Sequence, residues 1–524
     1  MVRYGQDLGE QNPWWKSDAY EEQDRELSFL RRYGLSLSPI SRLQFEKLEP
    51  SSGKIFLLKG PRRVGKTTYM KQVITELIKK KIVADSHEIL YLNIEGLKLN
   101  TPSHLRKTIR LYFDKNREQK LRYIFLDEVT VCQGWEEVLQ GEYDVGSLRN
   151  CVTFVTGSDP KLLEEGGNKL SGRGISGNEF LVRPLTFRDF IILTLTGAHY
   201  YQTTLASYGI TQEIGKNIIT SLSPSFSLND PKEKIRDILF GRLLDYEKEI
   251  GVLFDIYLKT GGFPEAIHSY YASLEQIRVA KLMGEEVKRP GIEDRIYEDI
   301  LRAILEKLNL VGKESSTAEK ILYAISDLES ATGTSTYSGI AKKEREETAL
   351  HPQTVEEYVK SLNKWMIIDK LENYIGDGYL KKMYISDPFI LHSIRSKESG
   401  KKPFDYSLEL LEDERKIGML VECIVGSTIR ASEEIPIRKE TETFLSFYRK
   451  DNEEIDFVFK TETVGNIGIE VKYQEEPSLR EIKKLENVDM TIVLTKNETD
   501  PKDDIWFIPV PIFLALIRKS DKHL

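Results

Sequence analysis

Residues 60–67 read Gly-Pro-Arg-Arg-Val-Gly-Lys-Thr, and each residue type suits a chain of phosphates. Gly60 and Gly65 let the main chain curl so that its N–H groups face the phosphates, at the positive end of the helix that follows. Lys66 carries a point charge for the β- and γ-phosphates, and Thr67 offers a hydroxyl to magnesium. Pro61, Arg62, Arg63, Val64 and Thr68 complete the loop and are expected around the same nucleotide. Further on, the apolar run Tyr123 to Leu126 ends in Asp127 and Glu128. Asp127 is placed to hold the metal through its water shell, and Glu128 to polarise the attacking water as a general base. ATP and Mg2+ are therefore the expected cofactors. The next strand-like run ends near Thr156 and Ser158, and Ser158 is expected to sense the γ-phosphate at the sheet edge where such folds bind ligands. Arg173, in the loop-like Leu-Ser-Gly-Arg-Gly, is expected to supply positive charge to the transition state from a neighbouring subunit.

A second constellation lies near the C-terminus, in Glu-Ile-Asp-Phe-Val-Phe-Lys (454–460) and Ile-Gly-Ile-Glu-Val-Lys-Tyr (467–473). Ile455, Phe457, Phe459, Ile469 and Val471 are apolar at odd positions, whereas Asp456, Glu470 and Lys472 are polar at even ones. A period of two puts Glu470 and Lys472 on one strand face, and antiparallel pairing can set Asp456 beside them. Asp456 and Glu470 would then offer hard oxygen ligands to Mg2+, with Lys472 orienting or activating water against a phosphodiester. The competing reading is a half-exposed hairpin with alternating charges, in a domain that serves only for binding or assembly.

Elements must hold these residues in place. Residues 1–50 read as a mostly helical lead-in with Trp14 and Trp15 as anchors. Residues 51–184 alternate strand-like runs (Ile55–Leu58, Ile89–Ile94, Tyr123–Asp127, Cys151–Ser158) with helical patterns, which predicts a parallel, doubly wound sheet. Residues 185–310 are helix-rich, broken by Gly-Gly-Phe-Pro at 261–264, and read as a helical lid. Residues 316–392 give helices and then two strands around Ile375–Gly378, the order of a winged helix, with Lys342, Lys343 and Arg345 expected in a loop before the helix that starts near His351. Residues 410–524 read as a helix, a strand meander that starts near Ile435, a further helix and two more strands.

The chain resembles the archaeal AAA-type ATPases that carry a nuclease-like C-terminal region. The matching segments are Asn-Pro-Trp-Trp at 12–15, residues 60–68, Phe-Leu-Asp-Glu-Val at 125–129, Thr-Gly-Ser at 156–158, Leu-Ser-Gly-Arg at 170–173, residues 184–190, 261–266 and 383–388. The resemblance implies an α/β fold: a P-loop ATPase core with a parallel sheet, a helical lid, a winged helix and a restriction-endonuclease-like C-terminal domain. It also implies that Glu422, on the helix before the meander, is an acid near the metal of that last domain.

Composition narrows the classes. Forty per cent hydrophobic and 30% charged residues over 524 positions describe several globular domains rather than a disordered chain. A net charge of −8 argues against coating nucleic acid by bulk charge, though not against a local basic surface. The longest apolar segment, 505–517, holds Pro509 and Pro511 and is too short to span a bilayer, and the N-terminus lacks the apolar core of a secretory signal, so a cytoplasmic location is expected. Cys132, Cys151 and Cys423 are too scattered for a metal or disulfide framework. The expected partners are ATP, DNA and further copies of the chain. The expected function is Mg-dependent ATP hydrolysis that drives a switch or motor on DNA, with metal-dependent DNA cleavage by the C-terminal domain. The alternative is an ATP-controlled interaction or scaffold protein whose nuclease-like domain is not catalytic.

Overall fold

The computed structural model describes residues 2–32, 53–117, 122–175, 178–197, 199–286, 289–310, 315–343, 351–376, 379–432, 445–451, 453–474 and 488–519. It falls into two compact units, one built mainly from the chain up to Arg183 and the other mainly from Pro184 onward. The predicted strand around Ile435–Lys439, the helix expected after Tyr473, Arg345, and the end of the N-terminal lead-in lie outside the described residues.

In the first unit, β1 (Ile55–Lys59), β2 (Ile89–Asn93), β3 (Arg122–Asp127), β4 (Cys151–Thr156) and the short β5 (Glu179–Leu181) form one sheet in the order β2-β3-β4-β1-β5. Every pairing is parallel. Both faces are covered, which is why these strands read as unbroken apolar runs. One layer is a row of rings across four strands. Phe125 stacks on Phe154 at 4.8 Å between centroids, Phe154 on Phe56 at 5.0 Å, and Phe56 on Phe180 at 5.8 Å. Each such buried ring stabilises the sheet by roughly 1.5–3 kcal/mol.

The edge strand β2 is closed by the N-terminal segment. Asn12 accepts from the Tyr91 amide (2.7 Å) and donates to the Tyr91 carbonyl (2.9 Å), Gln11 accepts from the Asn93 amide (2.8 Å), and the Trp15 indole donates to the Ile89 carbonyl (2.8 Å). Side chains thus take the place of a sixth strand and leave no open edge there. Trp14 and Trp15 anchor the segment as predicted.

The second unit contains helices, a two-stranded hairpin and a six-stranded mixed sheet. Gly261 and Gly262 end the helix Glu247–Thr260, and Pro264 starts the helix Pro264–Met283. Three of the recognised segments meet here. The Leu185 amide donates to the Gly262 carbonyl (2.8 Å), the Gly262 amide donates to Asp387 Oδ2 (2.7 Å), and Asp387 Oδ1 caps the helix Pro388–Ser399 through the Phe389 amide (2.8 Å). A Cβ at Gly262 would stand 2.1 Å from the Leu185 carbonyl oxygen, so this crossing requires glycine.

The helices Ser315–Ser326, Tyr337–Lys343 and Pro352–Lys364 precede the antiparallel hairpin β6 (Ile368–Glu372) and β7 (Lys381–Ile385). Lys342 and Lys343 end a helix rather than sitting in a loop, because the apolar pattern through Ile340 and Ala341 carries the helix onward. Val355, Tyr358, Val359 and Leu362 form the buried face of Pro352–Lys364, as their spacing predicts.

The larger sheet follows the helix Glu414–Ser432 and comprises β8 (Leu445–Lys450), β9 (Glu453–Lys460), β10 (Asn466–Lys472), β11 (Met490–Thr495), β12 (Asp500–Lys502) and β13 (Ile505–Pro509), ordered β12-β13-β11-β10-β9-β8. The final apolar run is half strand and half helix. Pro509 and Pro511 do not break it but start the helix Val510–Leu516, where a missing N–H costs nothing. Among the described residues no helix is long and apolar enough to cross a membrane.

Candidate active site

β1 delivers the chain into the loop 60–65 and the helix Lys66–Lys79 takes it away. Gly65 sits at φ 96°, ψ 20°, a conformation that favours glycine. Gly60 is needed for a different reason than curl alone: a Cβ there would lie 2.2 Å from the Val182 carbonyl oxygen just past β5. The loop therefore depends on the short fifth strand, which is not evident from the motif.

Lys66 is buried, and its Nζ donates to the carbonyls of Gly60 (3.0 Å) and Pro61 (2.7 Å). Burial pushes its pKa down, against the pull of the nearby Glu128 and Asp127. Arg62 is half-buried beside it and Arg63 is exposed at φ 65°. The Thr68 hydroxyl faces Glu26 Oε2 at 3.4 Å. Lys71, one turn on, is buried in an ion pair with Asp24 (2.8 Å), its Nζ 3.5 Å from the centroid of the Tyr91 ring. These contacts tie the N-terminal segment to the helix that carries Lys66 and Thr67.

Asp127 ends β3, 1% exposed, and is held by three hydroxyls. Thr67 Oγ1 (2.7 Å) and Tyr91 Oη (2.8 Å) both donate to Oδ2, and Thr156 Oγ1 donates to Oδ1. Burial and the Asp127 charge push the Tyr91 phenol well above its ordinary pKa, so it stays a donor. The Thr156 oxygen also accepts from the Glu128 amide (3.3 Å). Glu128 itself is left-handed, at φ 55°, ψ 44°, a conformation that costs a non-glycine residue roughly 1–2 kcal/mol. Such strain is commonly kept where it aims a side chain. Ser158 is half-buried two residues beyond β4, at the same edge.

The structure thus brings together Lys66, Thr67, Asp127 and Glu128. Tyr91 and the hydrogen-bonding part of Thr156 escaped the sequence reading. The available signal was a lone phenol in an aliphatic strand that pairs with β3.

Arg173 is elsewhere. The Gly174 carbonyl accepts from the Ile55 amide at the start of β1 (3.0 Å), whereas the phosphate loop leaves the other end, roughly 16 Å of strand away. Arg173 makes a two-pronged contact with Asp144, Nε to Oδ1 at 2.9 Å and Nη2 to Oδ2 at 3.2 Å. It is not placed to serve the nucleotide site of its own chain.

The C-terminal constellation does assemble. The Asp456 amide faces Glu470 Oε2 (3.4 Å), the Val471 amide donates to Asp456 Oδ2 (2.9 Å), and Lys472 Nζ donates to Glu470 Oε1 (2.6 Å). Glu422 joins them from the helix Glu414–Ser432. A residue outside the sequence reading stands in the middle. Lys382 of β7, its side chain 1% exposed, places Nζ 3.0 Å from Glu422 Oε1, 3.0 Å from Glu454 Oε1 and 3.1 Å from Asp456 Oδ1. Tyr384 Oη donates to the same Glu422 oxygen at 2.7 Å.

Burial opposes the Lys382 charge, but the surrounding acids outweigh it and hold the ammonium above its ordinary pKa. Burial, with Asp456 close by, pushes Glu422 up to about 8 and Glu470 up to about 7. Among the described residues no group of three or more His, Cys, Asp or Glu side chains is arranged to hold a metal ion. The expected ligands Glu422, Asp456 and Glu470 are therefore not arranged as a metal site, and an ammonium lies between the first two.

Residues 52–191 match the family model of an AAA domain, and residues 417–513 match a domain of unknown function, DUF4143. No curated protein matches the chain significantly. Among solved structures, the chain is similar to the Walker-type ATPase PABY2304 of Pyrococcus abyssi, with 16% identity over 67% of this chain and 94% of that one and a TM-score of 0.40. It is also similar to the Aeropyrum pernix ORC1 protein in complex with DNA (13% identity, 68% and 88% covered, TM-score 0.29) and to Drosophila ORC bound to DNA (14%, 72% and 93%, TM-score 0.26). The chain carries an AAA-type P-loop ATPase domain and is an ATPase.

Proposed function

We propose that the chain is a magnesium-dependent ATP hydrolase that acts as a nucleotide-controlled switch on DNA. The observation that carries the ATPase half is the carboxylate of Asp127, shared by the hydroxyls of Thr67, Tyr91 and Thr156. Three neutral donors orient a carboxylate without cancelling its charge, and Thr67 brings a second hard oxygen to the same point, a donor set that fits magnesium. A bound magnesium ion would neutralise phosphate charge there. The amides of residues 60–65 cradle the phosphates, and Lys66 exchanges its carbonyl partners for phosphate oxygens. Glu128 takes a proton from water as the water oxygen bonds to the γ-phosphorus and the bond to the β-phosphate oxygen breaks, releasing ADP and phosphate. Ser158 monitors the γ-phosphate, and Arg173 acts on the site of a second copy of the chain.

The DNA half rests on residues 316–392 and 410–524. Three helices, a hairpin and the bridge between Ser335 and Lys381 have the element order of a winged helix. The helix, antiparallel meander and parallel strands that gather Glu422, Asp456, Glu470 and Lys472 support a nuclease-like fold. A second reading, a nuclease-like domain that engages partners without cutting, is favoured by the ammonium of Lys382 among the acids. The test is binding of branched, single-stranded and duplex DNA to the full chain with ATP, with ADP and without nucleotide. A several-fold change in affinity between nucleotide states that is lost in Lys66→Ala supports the switch. DNA binding indifferent to nucleotide, with an ATPase rate indifferent to DNA, removes it.

A further inference from the structure

The place where a divalent ion would sit in the C-terminal constellation is filled from within the chain. β7 presents Lys382 and Tyr384 on one face, since residues two apart in a strand share a side. Both reach Glu422, one with an ammonium and one with a hydroxyl. The next residue back, Lys381, belongs to the other face, with its Nζ 3.6 Å from Glu372. The ammonium of Lys382 contacts oxygens from three acids on two elements, Glu422 of the helix Glu414–Ser432 and Glu454 and Asp456 of β9. Its own side chain is almost wholly buried. A lysine so placed is not a surface ion pair, and an apolar residue would fill the space at lower desolvation cost.

We propose that Lys382 is a built-in cation, whose ammonium holds the Glu422–Asp456 oxygens in place of a divalent metal ion and keeps that ion out. This rests on reading residues 410–524 as a nuclease-like domain. Four acids crowd the cluster, Glu422, Glu454, Asp456 and Glu470, against the ammonium groups of Lys382 and Lys472 and the guanidinium of Arg449, which pairs with Glu454 at 3.3 Å. Without Lys382, the carboxylate oxygens of Glu422 and Asp456 that it contacts would be left to an oxygen-seeking ion such as Mg2+ or Mn2+. With Lys382 present, an incoming ion would share its oxygens with a fixed positive charge a few ångströms away. The ligand that Lys382 excludes is an oxygen-seeking divalent cation.

The experiment is Mn2+ titration of the full-length chain without nucleotide, followed by electron paramagnetic resonance of the free ion. Each form is also measured carrying Asp127→Asn, so that the phosphate-loop side contributes no ion. The forms are wild type, Lys382→Met, and Lys382→Met with Glu454→Gln, which keeps the net charge of the cluster unchanged. Circular dichroism and ATPase rate, the latter without Asp127→Asn, verify folding. The expected result is one new site in both variants, bound at least ~10-fold tighter than by wild type and lost when Asp456→Asn is added. Wild type binding Mn2+ as tightly as the variants, through Asp456, would overturn the lysine's role while leaving the acids as metal ligands. No binding by either folded variant would overturn the proposal together with the metal reading of the domain.

Discussion

Two buried aspartates in this chain meet very different neighbours. Asp127 is approached by three hydroxyls, and Asp456 by the ammonium of Lys382 and the amide of Val471. A hydroxyl satisfies a lone pair and leaves the negative charge in place. An ammonium satisfies the lone pair and offsets part of the field that would draw in a metal. On the functional reading proposed above, the groups that orient each acid set how strongly it draws a cation.

The comparison can be broken first at the phosphate site, where the largest effect is expected. Glu128→Gln keeps the left-handed turn and the shape of the side chain but cannot take a proton. ATP turnover should fall by roughly 10²–10⁴-fold with nucleotide binding retained. Lys66→Ala should weaken binding as well. Normal turnover by Glu128→Gln in a steady-state phosphate-release assay would take the general-base role from that residue.

A buried base without a counter-charge sharpens the contrast with Lys382. His392 is fully buried, with Nε2 against the Leu258 carbonyl at 2.9 Å, and burial pushes its pKa down to about 4. The unfolded chain, titrating near the ordinary value of 6.5, then binds more protons than the folded one between those limits. The stability linked to neutral His392 is present above pH 6.5 and lost as pH falls towards 4, on the order of 3 kcal/mol in all. Glu422, Glu470 and Asp387, whose pKa values burial raises, contribute the opposite sign in this window, so the prediction is for the difference: calorimetry of the full chain from pH 7 to 4.5 should show the wild-type advantage over His392→Gln shrinking as pH falls. An unchanged difference would mean that His392 charges freely in the folded state.

The smallest effect belongs to Tyr91→Phe, which removes one of the three hydroxyls on Asp127. The loss of one hydrogen bond to a charged group, about 1.5–3 kcal/mol, should appear mainly in the magnesium concentration needed for half-maximal ATPase rate. A variant with wild-type magnesium dependence would show that Thr67 and Thr156 suffice.

How much of this was legible depended on whether chemistry was contiguous in sequence. The loop 60–67 and the pair Asp127–Glu128 each occupy one run, so residue types alone exposed them. Asp456, Glu470 and Lys472 were legible because a strand period of two and a short hairpin link them. Tyr91 was hidden because its role arises from parallel pairing between β2 and β3, which no local pattern encodes. Lys382 and Glu422 are distant in sequence and share no pattern, and a lysine pair at the start of β7 reads as an exposed strand end. The strand β5 is only three residues long, too short to announce itself, yet the carbonyl just beyond it is what makes Gly60 necessary. The left-handed turn at Glu128 was equally silent, since nothing about a glutamate after a strand signals positive φ.

The central claim, that hydroxyl-held Asp127 recruits a divalent ion and ammonium-held Asp456 does not, is tested most directly by counting Mn2+ ions bound per full-length chain with a non-hydrolysable ATP analogue. The account predicts one ion per chain, absent without the analogue and lost in Asp127→Asn. Two ions per wild-type chain, the second removed by Asp456→Asn, would contradict it.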